Sequence, residues 1–454
     1  MLGSDVELHV FMLTATRCAH ELLVISVYGE VFEVRTQLCC IFLILTAASA
    51  QDKPKLDLRG DRFRGLTYEE LTPAQKVITD RALAGRGPIG IFNITLRSPE
   101  LSDAMRGIAG SRTAPVLSAR QNELAILLTG RFWTTQFEWS VHHRAATQAG
   151  LSDQTISAII DGRRPTALQP DEVPVYNFLT ELLNTKQMSD ATFQATKEKL
   201  GEKGIVDLIG LTSFYQTVSL MMNVDRYPLT NSQKSELQPL AKPLPYTAGA
   251  ASGAAQPKSA GSLRGDRFKP LTTEEMTAPQ KALMDLVVSG KLEGGTGGPL
   301  NVLLRSPEWG EGILRYGVYE RFHMPLSAKL NELTALITIR NWTSQFPWYA
   351  HHRAATQAGW SEPVITAIAE GKRPAGLQPD EQAVYNFCTE LLRTTQMSDA
   401  TFNAAKQQLG ERGVVELMGE IGYYQTVATL LNTDRYPLPD GVAAELKPLV
   451  DPIP

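Results

Sequence analysis

His142-His143-Arg144-Ala145-Ala146-Thr147-Gln148-Ala149-Gly150 recurs letter for letter as His351-His352-Arg353-Ala354-Ala355-Thr356-Gln357-Ala358-Gly359. The same spacing of 209 positions separates Gln187-Met188-Ser189-Asp190-Ala191-Thr192-Phe193 from Gln396-Met397-Ser398-Asp399-Ala400-Thr401-Phe402. It also separates Asp225-Arg226-Tyr227-Pro228-Leu229 from Asp434-Arg435-Tyr436-Pro437-Leu438. The register holds from about Arg112 to near the C-terminus, so the chain is a tandem duplication. Copy one spans residues 58–245 and copy two residues 263–454. Residues 246–262 between them are small, polar and glycine-rich, the composition of a flexible linker. Each copy opens with Arg-Gly-Asp-Arg-Phe, at Arg59 and at Arg264, which reads as a turn entering the domain rather than an adhesion motif.

Outward from the repeated stretch, nearly everything within a copy reads as helix. Residues 138–148 form one helix, which Gly150 stops. Upstream, Ser118-Ala119-Arg120-Gln121 is a capping box before the apolar run Leu124, Ile126, Leu127 and Leu128. Residues 67–84 are amphipathic, and Ser98-Pro99-Glu100 is a helix start, with Ser as cap and Pro in the first turn. Downstream, Ser152 caps a helix through Ile160, and residues 170–183, 189–200 and 205–222 complete the set. Within the copies no segment alternates with period two over a useful length. The expected fold class is all-α, with about eight helices per copy joined by short loops.

Composition narrows the function. The formal net charge of the 454 residues is −4, and most of that excess lies in residues 1–50. A near-neutral remainder offers no broad electrostatic footprint for nucleic acid or anionic membrane. At the N-terminus Arg35 precedes the apolar run Leu38-Cys39-Cys40-Ile41-Phe42-Leu43-Ile44-Leu45, followed by Ala48-Ser49-Ala50. These are the parts of a secretory signal peptide, and the run is too short to span a bilayer. Residues 1–30 do not fit that scheme, which places the effective start near Val31 or Val34. The expectation is an exported protein, periplasmic or secreted, with no membrane span after processing. Three of the four cysteines precede the expected cleavage point. The fourth, Cys388, aligns with Leu179, which suggests a small buried apolar residue and excludes a CxxC redox pair.

The residues that could carry chemistry flank one helix junction. Glu123 follows Asn122 inside a strongly apolar helix, where a carboxylate is costly unless it is paired or faces a cavity. His142 lies early in the next helix. Helices joined by a tight turn pack antiparallel, so Glu123 and His142 can meet, and Glu332 and His351 likewise. A Glu–His pair is a general acid/base unit, because His titrates near neutral pH and a carboxylate fixes its tautomer. Arginines near this junction and in the repeated Leu-Arg-Ser-Pro-Glu stretch, whose guanidinium can grip a carboxylate bidentately, are Arg97, Arg131 and Arg144, with Arg305, Arg340 and Arg353 in copy two. Trp133, Trp139, Trp342 and Trp348 are candidates for the pocket wall or the core. Glu138 reads as a first-turn acid favoured by the helix dipole, a reading supported by Pro347 at the same position. Adjacent histidines on a helix point about 100° apart, so His142-His143 and His351-His352 make no chelating pair, and no metal is expected.

Together these residues resemble the carboxymuconolactone decarboxylase superfamily, with its alkylhydroperoxidase-like fold. The pattern runs Asn93-x2-Leu96-Arg97-Ser98-Pro99-Glu100, then Asn122-Glu123-Leu124, then Phe137-Glu138-Trp139-x2-His142-x3-Ala146-x3-Gly150-Leu151. Gly162-x5-Leu168-x2-Asp171-Glu172 and a terminal helix bearing Tyr215 (Tyr423 and Tyr424 in copy two) continue it. The resemblance covers nearly all of both copies and implies two tandem helical domains assembling as a homo-oligomer, a trimer of fused pairs. Alkylhydroperoxidase members use two cysteines at positions that correspond to Thr135 and Glu138, and to Ser344 and Pro347. Their absence disfavours thiol peroxidase chemistry. The decarboxylase branch implies loss of CO2 from a small carboxylated or lactone substrate, or its isomerisation, with no cofactor. Glu123 and Glu332 would orient His142 and His351, the imidazoles would move the proton, and one of these arginines would anchor the substrate carboxylate. A non-catalytic binding or scaffold protein that kept the fold is the alternative.

Overall fold

Ser118 accepts a hydrogen bond from the Gln121 amide, and the Gln121 side chain accepts from the Ser118 amide at 2.9 Å. This reciprocal cap starts the apolar helix that carries Glu123, as expected from the sequence. The computed structural model describes residues 23–27, 30–34, 56–85, 87, 90–246, 263–292, 297–449 and 452–453. The chain divides into two units, Met1–Lys55 and Leu56–Pro454. In the first, strands β1 (Leu23–Val27) and β2 (Glu30–Val34) pair antiparallel, with Leu23 opposite Val34 and Val27 opposite Glu30. The apolar run from Leu38, the Ala48-Ser49-Ala50 end and linker residues 247–262 lie outside the described residues.

Among the described residues of the second unit every regular element is a helix. Copy one comprises α1 (Pro73–Leu83), α2 (Phe92–Thr95), α3 (Pro99–Arg106), α4 (Ala119–Trp133), α5 (Gln136–Gln148), α6 (Asp153–Ile160), α7 (Val173–Thr185) and α8 (Asp190–Asp225). Copy two repeats the order with α9 (Ala278–Val288), α10 (Leu300–Leu303), α11 (Pro307–Val318), α12 (Ala328–Asn341), α13 (Gln345–Gln357), α14 (Glu362–Ala369), α15 (Pro379–Thr394) and α16 (Asp399–Asp434). Helix α1 starts six residues later than its amphipathic pattern suggested. Thr72 and Gln75 form a capping box there, and Pro73 takes the first helical position, where its missing N–H costs nothing. Gly201 (φ 69°, ψ 176°) breaks α8 into the two helices read from the sequence, and Gly410 (φ 71°, ψ 175°) does the same in α16. Only glycine adopts this conformation cheaply.

Helix α4 packs on α5, α7 and α8, and α12 packs on α13, α15 and α16. The most extensive pairing joins α8 to α16, one from each copy. The contacts across this seam are reciprocal, as in an isologous dimer fused into one chain. Arg62 bonds Asp399 (2.7 Å) and the Met397 carbonyl (2.8 Å), while Arg267 bonds Asp190 (2.7 Å) and the Met188 carbonyl (2.7 Å). Phe63 meets Phe402 edge-on at 5.6 Å, and Phe193 meets Phe268 at 5.4 Å.

Two repeated motifs are explained by meeting each other. The Asp225 carboxylate accepts from the amides of Asp61 (3.2 Å) and Phe63 (2.8 Å), and Asp434 accepts from those of Asp266 (3.2 Å) and Phe268 (2.8 Å). The Arg-Gly-Asp-Arg-Phe segment is thus a turn pinned by the terminal aspartate of the long helix. A Cβ on Gly60 would lie 2.1 Å from the Phe63 carbonyl oxygen, so the turn admits no side chain there. Arg267→Ala should cost about 2–4 kcal/mol, because it strands the Met188 and Thr433 carbonyls inside the seam. By contrast, removing the exposed Arg315–Glu311 pair should cost under about 1 kcal/mol. Urea unfolding of the two variants checks both values.

Candidate active site: a glutamate–histidine pair in each copy

Helix α4 ends at Thr134, which takes the left-handed conformation (φ 51°), and Thr135 caps α5. This two-residue turn folds α5 back along α4. His142 therefore faces Glu123, with Nδ1 2.8 Å from Glu123 Oε2. In copy two Thr343 (φ 47°) makes the same turn, and His351 Nδ1 lies 2.8 Å from Glu332 Oε2. All four side chains are 13–17% exposed, so the pairs are largely buried yet reachable from solvent. Each imidazole packs edge-on against the tyrosine of its long helix, His142 on Tyr215 at 5.0 Å and His351 on Tyr424 at 4.7 Å.

The two sites differ at the other ring nitrogen. His142 Nε2 lies 3.4 Å from Glu138 Oε2, one helical turn back, so this imidazole sits between two carboxylates. Burial lowers its pKa, but the hydrogen bonds and charges of Glu123 and Glu138 outweigh burial and raise it to about 9. His142 is therefore an imidazolium at neutral pH. Glu138 does more than cap the dipole of its helix. In copy two Pro347 replaces it, and among the described residues no carboxylate engages His351 Nε2.

Copy two also carries two acids that copy one lacks. Glu320, Glu416 and Glu420 are fully buried; Asp207 is the copy-one equivalent of Glu416, but Ser111 and Leu211 stand where copy two has Glu320 and Glu420. Glu416 accepts from Tyr319 (2.9 Å) and Ser98 (2.5 Å). All four carboxyl oxygens of Glu320 and Glu420 lack a hydrogen-bond partner. Burial and the neighbouring carboxyls push both groups well above the usual range, so they are held neutral. Glu332 contributes to the shift of Glu420, which places this neutral acid beside the Glu332–His351 pair.

Most of the expected anchoring residues have other work. Arg97 donates to the Asn93 and Arg64 carbonyls and to Glu411 across the seam, and Arg305 does the same with Asn301, Lys269 and Glu202. Arg131 bonds the Ile159 and Gln238 carbonyls, and Arg340 bonds that of Lys447. These four are buried clamps on backbone, which corrects their reading as substrate anchors. Arg144 and Arg353 are exposed and lie two positions beyond their histidine, some 200° around the helix. Arg144 lines a separate cleft of about 470 Å3, and Arg353 bonds Tyr349. Trp133 and Trp342 are core residues. The indoles of Trp139 and Trp348 donate to Glu236 (2.9 Å) and Glu445 (2.8 Å), and the same carboxylates hold His143 and His352. The second histidine of each pair thus fastens the C-terminal tail of its copy.

Arg112, and its equivalent Arg321, act electrostatically on the tyrosine that packs on each imidazole. The electrostatic surroundings of Tyr215 include Glu138, Glu123 and Arg112, and those of Tyr424 include Glu420, Glu332 and Arg321. Asn122 holds the loop that carries Arg112, bonding Ala114 and Leu117, and Asn331 holds the Glu320 carbonyl beside Arg321. Retention of arginine at the 209-residue spacing was the available signal, and the sequence reading passed over it. Cys388, the only cysteine among the described residues, is fully buried, and burial pushes its thiol far up. A thiolate nucleophile is not accessible there. No known family, curated protein or solved structure matches this chain.

The His142 imidazole should titrate near pH 9 by NMR, and Glu138→Gln should lower that value. Because the folded pKa lies above the unfolded value near 6.5, the stability His142 contributes is complete below about pH 6.5 and is lost as pH rises through about 9. Glu138→Gln should flatten that decline in the wild-type unfolding free energy. Separately, Glu420→Leu should stabilise the chain by about 1–3 kcal/mol, because it removes a buried carboxyl with no partner. Thermal unfolding reads this directly.

Proposed function

We propose that the chain is a cofactor-free acid/base enzyme of the carboxymuconolactone decarboxylase type, acting on a small carboxylated or lactone substrate. The observation that carries this reading is the recurrence of a 2.8 Å carboxylate–imidazole contact in both copies, at the same 19-residue separation. Glu332 fixes Nδ1 of His351 and leaves Nε2 to exchange a proton with the substrate. Arg321, which acts on the Tyr424 that packs on His351, is the guanidinium we assign to a substrate carboxylate.

In the proposed step the bond between the substrate carbon and its carboxylate breaks and CO2 departs. The electron pair stays on that carbon, delocalised into the lactone. The protonated His351 gives its Nε2 proton to the carbon and becomes neutral imidazole; solvent water then returns a proton to Nε2, and the hydroxide left combines with the released CO2 as bicarbonate. In copy one Glu138 occupies the equivalent nitrogen, so His142 contributes less. The trimer of fused pairs and the export that the sequence suggests belong to the same proposal.

The test follows CO2 release from carboxymuconolactone and related lactone acids. The wild type should turn over at least one of them. His351→Ala should reduce kcat by about 10²-fold or more, and His142→Ala by less. Glu123→Gln, His142→Ala, Glu332→Gln and His351→Ala combined should abolish turnover. Binding without turnover in the wild type would identify a scaffold instead, and unchanged turnover in the combined variant would remove the pairs from the chemistry.

A further inference from the structure

An open cleft of about 1090 Å3 lies on the seam between the copies. The residues of the Glu–His pairs do not line it. Equivalent positions of the two copies face each other across it: Thr134 and Thr343, Gln136 and Gln345, Leu240 and Leu449. Eight leucines, four prolines and Phe132 line it together with threonines, glutamines and asparagines, and its volume is just above the usual range of ligand pockets, about 300–1,000 Å3.

The pseudo-symmetry of the cleft fails at three pairs of lining positions: Phe132 against Asn341, Asn184 against Arg393, and Lys186 against Thr395. Lys186 stands in copy one where copy two has Thr395. Lys186 ends α7 in the left-handed conformation (φ 62°), and its half-buried side chain turns back between two aromatic rings. Its Nζ lies 4.4 Å from the Phe132 ring and 5.1 Å from that of Trp342, and it donates to the Leu183 carbonyl. Among the described residues no carboxylate pairs with it, and no Asp or Glu lines the cleft. The other two cations of the lining, Lys242 and Arg393, are exposed at the surface. Burial pulls the Lys186 ammonium down to about 7, the mark of a charge whose compensation is missing.

We propose that this cleft is a second ligand site, which takes an elongated apolar molecule with one anionic head, a long-chain carboxylate, with the head on Lys186 and the chain along the leucine walls. The aromatic rings hold the ammonium in place before the ligand arrives, so little side-chain freedom is lost on binding. The chain removes apolar wall from water, and the carboxylate supplies the partner that Lys186 lacks.

The test uses the full chain and cis-parinaric acid, a polyene carboxylate that fluoresces in an apolar site. Saturable binding of one molecule per chain is expected, with displacement by oleate and at least about tenfold weaker displacement by oleyl alcohol. Lys186→Gln should weaken binding at least about tenfold, while Lys186→Arg should leave it within a few-fold. In the unaltered protein, oleate should protect Lys186 from reductive methylation, read by peptide mass, whatever the folding of the variants. Binding that ignores both substitutions, displacement by dodecylamine as effective as by laurate, or methylation of Lys186 unaffected by oleate would each overturn the proposal. Loss of lactone turnover in the His351 variant bears on the other site alone, so the two readings fail separately.

Discussion

A carboxylate embedded in an apolar helix needs a partner, and in each copy one imidazole supplies it. Glu123 and Glu332 sit among buried leucines of α4 and α12. Left alone they would neutralise or destabilise the core. The two-residue turn into the next helix brings His142 and His351 to 2.8 Å, and the left-handed threonine at that turn fixes the approach. The tyrosine of the long helix packs on that imidazole, and Asn122 or Asn331 pins the loop that precedes the glutamate's helix.

Duplication has left the scaffold symmetrical and the chemistry unequal. The reciprocal arginine clamps and the aspartate-pinned turns recur in both halves with nearly the same distances. Around the pairs the halves diverge: Glu138 against Pro347, Leu211 against Glu420, and Lys186 against Thr395 on the seam. One imidazole is held as a cation between two acids, and the other keeps a nitrogen free beside neutral carboxyls. A fused pair can divide its labour in this way, because a change in one half is not copied into the other as it is in a homodimer.

The helices and the Glu–His contact were legible in the sequence because they depend on local signals: caps, stop glycines, and a buried charge one tight turn from a histidine. The roles of the arginines were not. Arg97 and Arg131 carry the side chain that binds carboxylates, but the same fork satisfies backbone carbonyls, and only the tertiary structure decides which. Trp139 and His143 bond Glu236, more than ninety positions away in sequence, a partner that periodicity cannot nominate. The hairpin at Leu23–Val34 lies outside the copies, where no repeat guided the reading. Arg112 could have been found, since its spacing to Arg321 keeps the register of the repeat.

The central claim is that each glutamate and its histidine act as one buried unit. A double-mutant cycle on unfolding free energy, with Glu332→Gln, His351→Gln and both together, measures this directly. The account predicts a coupling of about 1.5–3 kcal/mol, the range of a hydrogen bond to a charged group in a partly buried setting. Additive effects, with a coupling below about 0.5 kcal/mol, would contradict it.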